Sequence, residues 1–219
     1  MDIQYLGHSC FRIKGKTGTV VTDPYSSSVG YPVPSVSADV VTISHMHDDH
    51  NNLGSVSGTS RRNEPFIIGE PGEYEVEGIS VFGYRTYHDD KEGGERGENT
   101  IYAIQVDGVR VLHLGDLGHM LSDKLLGELD SIDVVMVPVG GVYTIGASRA
   151  LELIDAISPY IAIPMHYKTE RHDVKLFGEM ATLADFLKEY GGEARKVEDK
   201  LAVSKISLSE ESTEVVVFE

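Results

Sequence analysis

The chain has 219 residues, 41% hydrophobic and 25% charged, which is long enough to bury a sizeable core and ordinary for a soluble globular protein. A formal net charge of −16 at pH 7 opposes long-range attraction to nucleic acid or anionic membranes, so neither is expected as a partner. No apolar run is long enough to cross a bilayer, the first residues lack the basic-then-apolar pattern of an export signal, and the lone Cys10 permits no internal disulfide; a cytoplasmic chain forming one domain over 1–219 is expected.

The chain opens with short apolar or β-branched runs, 3–6, 10–13 and 19–22, separated by Gly7-His8-Ser9 and a glycine-bounded turn. They predict a meander that stops at Asp23-Pro24, with Cys10 as a packed core thiol. A serine- and proline-bearing loop over 25–37 then leads into Val40-Val41-Thr42-Ile43-Ser44, a buried strand that feeds His45-Met46-His47-Asp48-Asp49-His50. The stretch to Thr59 holds at most a short helix. Residues 65–68 and 78–87 read as strands, the second ending at His88, and 89–98, nearly all charge and glycine, predict a mobile loop.

Tyr102, Ile104 and Val106 alternate onto one face ahead of Asp107-Gly108, and 109–114 returns, which predicts a hairpin running into Leu114-Gly115-Asp116-Leu117-Gly118-His119. Strands and helices alternate beyond it. A short helix over 121–129 is capped by Ser122, and 134–139 is an apolar strand. Ala147, Ala150, Leu151, Ile154 and Ile157 share one helical face ended by Pro159, and the strand 161–165 ends at His166. Phe177, Met180, Ala181, Ala184 and Leu187 predict one further helix closed by Gly191-Gly192, and 201–207 and 213–218 finish as strands.

Three histidines and an acid within the six residues 45–50, at the end of a buried strand, predict a metal site, because neutral imidazole and ionised carboxylate both suit borderline divalent metals. His88, Asp116 and His166 share that context: each sits where an apolar strand gives way to a loop, the place where a sheet fixes position and loops bring reactive groups together.

The pattern His-x-His-x-Asp-His, followed in order by His88, Asp116 and His166, resembles the metallo-β-lactamase superfamily, over nearly the whole chain. Leu6-Gly7-His8-Ser9, Thr22-Asp23-Pro24, the run from His113 to His119 and Pro164-Met165-His166-Tyr167 place the resemblance nearest to the branch of ascorbate-6-phosphate lactonase-like proteins and related metal-dependent hydrolases. It implies an α/β fold, the four-layer αβ/βα sandwich with two mixed β-sheets flanked by helices. It also implies two divalent ions, zinc first, with manganese, iron or nickel as alternatives. By family position His45, His47 and His88 hold one ion, Asp49, His50 and His166 the other, and Asp116 bridges both, while His113 and His119 rival His88 and Asp48 drops out.

The implied activity is hydrolysis of a small ester-type substrate, a lactone or phosphodiester, by a hydroxide shared between the ions, with Asp49 orienting that hydroxide. A superfamily nuclease acting on RNA or DNA and a metal-stabilised binding module without turnover are the rivals; a homo-oligomer stays open. Asp23 either accepts an imidazole N–H or merely forms an Asp-Pro turn. His8 lines the site or is a turn histidine, and His119 donates a proton to a leaving group or lies on the surface. Tyr167 and Lys168 bind a phosphate or carboxylate or are simply solvated, and Gly140-Gly141 and Tyr143 line the cleft or form a turn. His172, within Glu170-Arg171-His172-Asp173, is expected on the surface.

Overall fold

The computed structural model describes residues 1–208 and 212–218. The first third supplies β1 (Asp2–Gly7), β2 (Cys10–Lys14), β3 (Thr19–Thr22), β4 (Val36–Ser37), β5 (Val40–Thr42), β6 (Val56–Ser57) and β7 (Phe66–Ile68). Then come β8 (Gly72–Val76), β9 (Ile79–Tyr87), β10 (Glu98–Val106), β11 (Val109–His113), α1 (Asp123–Glu128), β12 (Val134–Pro138), α2 (Ala147–Ile157) and β13 (Ile161–Met165). The chain closes with α3 (Val174–Phe177), α4 (Leu183–Tyr190), β14 (Arg195–Val197), β15 (Leu201–Ala202) and β16 (Glu214–Phe218).

A six-stranded sheet in the order β15-β1-β2-β3-β5-β7 stacks on an eight-stranded sheet in the order β14-β16-β13-β12-β11-β10-β9-β8. The period-2 alternation of side chains decides which residues meet between them. From β12, Val134 and Met136 join Phe11, Ile13, Val20 and Ile68 in the inner core, while Val135 and Val137 point outward against Leu153, Ile154 and Phe186 of α2 and α4. The expected hairpin is β10–β11, paired Val106↔Val109 around Asp107 and Gly108, both with positive φ as a tight hairpin turn requires. Tyr102 lies wholly buried between the sheets, and its hydroxyl donates to the Ile43 carbonyl at 3.0 Å, tying the larger sheet to the residue that leads into the histidine motif.

The result is an α/β sandwich with unequal outer layers. Helices α1, α2 and α4 cover the eight-stranded sheet. The outer face of the smaller sheet, Cys10, Val21, Val41 and Ile43, is covered by Tyr25, Val29 and Tyr31 of the loop after Asp23, by Val56 of the β4–β6 ribbon and by Phe177 of α3.

The helix expected through 177–187 is instead two. Asp173 caps α3 by accepting from the Lys175 and Leu176 amides, and a Thr182–Asp185 capping box starts α4 afresh. The strand expected over 201–207 shortens to β15 followed by a 3-10 turn at Lys205–Ser207. Strands β8 and β14 were not anticipated. Among the described residues no helix is long and apolar enough to cross a membrane.

Candidate metal centre

Topology brings the ligand-bearing loops to one end. Strand β2 is antiparallel to both β1 and β3, and β3 runs parallel to β5, so His8, Asp23 and His45–His50 follow strands that end on the same side. In the larger sheet β9 and β11 each pair antiparallel with β10, while β11, β12 and β13 are parallel, which delivers His88, Asp116 and His166 together.

The side chains converge in three overlapping groups whose ligand atoms lie within 4.8 Å of one another: His45, His47 and His88; His45, His50 and Asp116; and His8, Asp49, His50 and His166. Asp116 Oδ2 is the common point, 3.1 Å from His166 Nε2, 3.2 Å from His88 Nε2, 3.3 Å from His50 Nε2 and 4.0 Å from His45 Nε2. Buried polar atoms normally find hydrogen-bond partners. Here His45 Nε2, His50 Nε2, His166 Nε2 and Asp116 Oδ1 are buried and have none. Imidazole nitrogens and carboxylate oxygens left unsatisfied around one point fit a divalent metal, and the donor set contains no thiolate.

Charge complementarity holds the cluster together. Burial favours the neutral form of Asp116, but His166 and His50 outweigh it and keep its carboxyl well below the usual range. Burial likewise disfavours a charged His50, yet Asp116 and Asp49 keep that imidazole well above its ordinary value. His45, sealed from water and beside His50, is lowered to about 3 and so stays neutral with a lone pair to offer.

Each ligand's aim is set by neighbours. Asp23, fully buried, accepts from the Ser44 amide at 2.8 Å, from the Ser44 hydroxyl at 2.6 Å and from His50 Nδ1 at 2.9 Å. That fixes the orientation of the His50 ring, with Nε2 aimed toward Asp116. Ser44 Oγ also meets His45 Nδ1 at 2.9 Å. Asn99 Oδ1 accepts from the Asp116 amide at 3.0 Å, while its Nδ2 donates to the Leu114 carbonyl at 3.1 Å. His8, Asp23 and His166 all have positive φ, at 56°, 38° and 51°. Such strain in buried non-glycine residues persists only where the surroundings over-determine it, and it clusters at functional sites. Two glycines permit close approach beside the ligands: a Cβ on Gly118 would lie 2.4 Å from the His88 backbone, and one on Gly140 2.1 Å from the His166 carbonyl.

A cleft of about 470 Å³ opens over the cluster, lined by His47, Asp49, His88, Asp116 and His166, with Arg96, Tyr143, Leu176 and Phe177 around them. The loop expected to be mobile forms part of its wall and is folded around Asp89. The Asp89 carboxylate accepts from the amides of Lys91, Gly93, Glu95 and Arg96 at 2.7–2.9 Å, and these bonds, outweighing its partial desolvation, hold its pKa below the usual range. A second cleft of about 410 Å³, lined by Tyr5, Tyr31, Tyr167 and Arg171, contains no histidine.

A family model described as the Beta-lactamase superfamily domain matches residues 2–166. The chain belongs to this superfamily. It is 32% identical to a UPF0173 metal-dependent hydrolase of Archaeoglobus fulgidus, over 77% of this chain and 84% of the relative, and 30% identical to one of Thermoplasma volcanium, over 77% and 85%. A crystal structure from Thermotoga maritima, named as a candidate Zn-dependent hydrolase of the metallo-β-lactamase superfamily, superposes with a TM-score of 0.79 at 35% identity, covering 100% of this chain and 99% of that one. The chain is a metal-dependent hydrolase of the metallo-β-lactamase superfamily.

Within that superfamily frame, His45, His47, Asp49, His50, His88, Asp116 and His166 are brought together, and His88 is among the histidines whose Nε2 lies beside Asp116. Its rivals are occupied elsewhere. His113 meets the Ser9 carbonyl through Nε2 at 2.8 Å and accepts from the Gly115 amide through Nδ1. His119 accepts from the Tyr87 amide and donates to the Met120 carbonyl, so both ring nitrogens meet backbone, and it is not among the residues that line the cleft. Lys168 Nζ donates to the Gly178 carbonyl at 2.6 Å, and Lys168 is not among the residues that line the cleft. Tyr143 does line the cleft. His172, expected on the surface, is 4% exposed, because its ring packs against His8, Tyr31 and Phe177. Sequence reasoning missed Ser44, Asp89 and Asn99; Ser44 alone carried a signal, as the polar residue between the strand and the first ligand.

Proposed function

We propose that the chain would hold two divalent ions, one with His45, His47 and His88 and one with Asp49, His50 and His166, with Asp116 serving both, and hydrolyse a small ester-type substrate, a lactone or a phosphodiester. One observation carries this reading: a single buried carboxylate oxygen lies 3.1–4.0 Å from imidazoles of both prospective trios, His45 and His88 of one and His50 and His166 of the other. Zinc suits the donors first, with manganese, iron or nickel as alternatives. When bound, two such ions supply a nucleophile from water at neutral pH and polarise a carbonyl or phosphoryl oxygen.

The remaining work falls to the chain. Asp23 and Ser44 orient His50 and His45, and Asp49, half-buried at the cleft wall, is placed to orient the attacking water as well as to bind metal. Arg96 brings a guanidinium to the lining, 5.7 Å from the centre of the Tyr143 ring, where it would take a carboxylate or phosphoryl group of the substrate. Tyr143, Leu176 and Phe177 give the rest of a small substrate an apolar wall. Asp48 and Glu95 on the same lining, and a net charge of −16, disfavour a long polyanion and count against the nuclease reading. The open cleft and the exposed His47 favour turnover over a sealed binding module.

Elemental analysis of the purified protein, followed by a screen of lactones, phosphodiesters and thioesters, tests the proposal. It expects about two equivalents of divalent metal, with chelation abolishing turnover and lowering the melting temperature. Full metal loading with no turnover on any of the three classes would sink the substrate assignment in favour of the binding module.

A further inference from the structure

Two buried histidines stand behind the cluster without a place in either ligand trio. His8 is fully buried and His172 nearly so. Burying imidazoles is costly unless their nitrogens are satisfied, and here every one is. The Thr169 amide donates to His172 Nδ1 at 3.1 Å, His172 Nε2 lies 3.2 Å from His8 Nδ1, and His8 Nε2 lies 3.2 Å from Asp49 Oδ2.

The proton positions follow from the first of these bonds. A backbone N–H only donates, so His172 Nδ1 is an acceptor and neutral His172 carries its proton on Nε2. That proton faces His8 Nδ1, which is therefore also an acceptor, and His8 must carry its own proton on Nε2, facing the carboxylate. The Thr169 hydroxyl also lies 3.2 Å from His172 Nδ1, but the reverse assignment would still set a His172 proton against the Thr169 N–H. His8 falls within the ligand-atom cluster of Asp49, His50 and His166, and its Nε2 is the nitrogen beside Asp49. Its forced tautomer makes it a donor to Asp49 there and not a metal ligand.

The backbone reinforces the arrangement. The His8 carbonyl accepts from the His166 amide at 2.9 Å and from the Tyr5 hydroxyl at 2.9 Å, so His8 is pinned to the loop that carries His166. Ring contacts with Phe177 at 5.3 Å and between His172 and Tyr31 at 4.9 Å fix both ring planes. At the outer end Thr169 Oγ1 pairs with the Tyr31 hydroxyl at 2.8 Å.

We propose that His172 and His8 are positioning residues, a hydrogen-bonded relay running from the Thr169 amide that holds Asp49 Oδ2 and thereby sets the affinity of the metal position made by Asp49, His50 and His166. The inference rests on the two-position reading above and extends it to residues that touch neither ion nor substrate.

Competitive zinc titration of wild type, His172→Phe, His172→Gln and His8→Gln, together with ¹⁵N-histidine spectra of the zinc-loaded wild type, tests it. His172→Phe fills the space but removes the donor, and should weaken one of the two zinc equivalents by about 10–100-fold, the range for orienting partners of metal ligands, while leaving the other unchanged. His172→Gln, which restores a donor, should recover most of that loss. The spectra should show His172 with an unprotonated Nδ1 and a protonated Nε2. A His172→Phe variant that binds both equivalents as wild type does would overturn the relay, and so would loss of a whole equivalent in His8→Gln with no effect of His172→Phe, the behaviour of a direct ligand. Should wild type bind only one equivalent, the two-position reading fails separately, and the nitrogen shifts still decide the relay: a proton on His172 Nδ1 rejects it.

Discussion

The trio of Asp49, His50 and His166 and the trio of His45, His47 and His88 offer similar ligand atoms, but they are held very differently. In the first, His50 is locked by Asp23 at 2.9 Å, Asp49 is held by His8 at 3.2 Å, and the His166 backbone is tied to the His8 carbonyl. In the second, His45 meets the Ser44 hydroxyl, but His47 is exposed, with ring contacts to His45 and His88 as its support among the described residues; His88 Nδ1, like His166 Nδ1 in the first trio, is buried without a hydrogen bond. Ligands oriented before the ion arrives lose less freedom when it binds, and orienting partners typically account for about 10–100-fold in metal affinity. The proposed pair of positions should therefore be unequal, with the better-buried trio tight and the trio that includes the exposed His47 the more exchangeable.

The comparison can be broken from its centre outward. Asp116→Ala removes the one carboxylate both trios share, so it should disrupt both positions and lower kcat/KM by about 10³-fold or more, since metal-based stabilisation amounts to several kcal/mol at roughly 1.4 kcal/mol per decade. A variant that kept near-native turnover would reject the shared-carboxylate geometry. Asp23→Asn should act on one side first. It leaves the volume almost unchanged but presents an amide N–H where Ser44 and His50 need an acceptor, and should cost about 10–100-fold in affinity at the buried position. Equal weakening of both equivalents in a competitive titration would contradict the assignment of Asp23 to the buried trio.

Much of the site was legible because its ligands sit at the ends of apolar strands, where pattern and chemistry coincide. The flanking strand 79–87 and the position between the two halves favour His88 over His113 and His119 in the sequence, and in the fold its Nε2 lies 3.2 Å from Asp116 while the other two use both ring nitrogens on backbone. What escaped the sequence depends on distant contacts. His172 lies among Glu170, Arg171 and Asp173 and reads as surface, yet its burial comes from His8, 164 residues away. The loop after His88 has the composition of a solvated segment, and no periodicity reveals that one carboxylate, Asp89, gathers four of its amides. The single helix expected over 177–187 had a continuous apolar face, but the Thr182 capping box inside it starts a new helix, a local signal that the face obscured. Composition gave no hint of the unequal outer layers, because a loop carrying Tyr25, Val29 and Tyr31 covers apolar surface as a helix would.

Stepwise zinc titration of metal-free protein, run in parallel on wild type and His47→Ala, tests most directly whether two unequal positions meet at Asp116. Wild type should take up about two equivalents with affinities separated by about 10-fold or more, and His47→Ala should lose the weaker while keeping the tighter. A single equivalent in wild type, or loss of the tighter equivalent in His47→Ala, would contradict it.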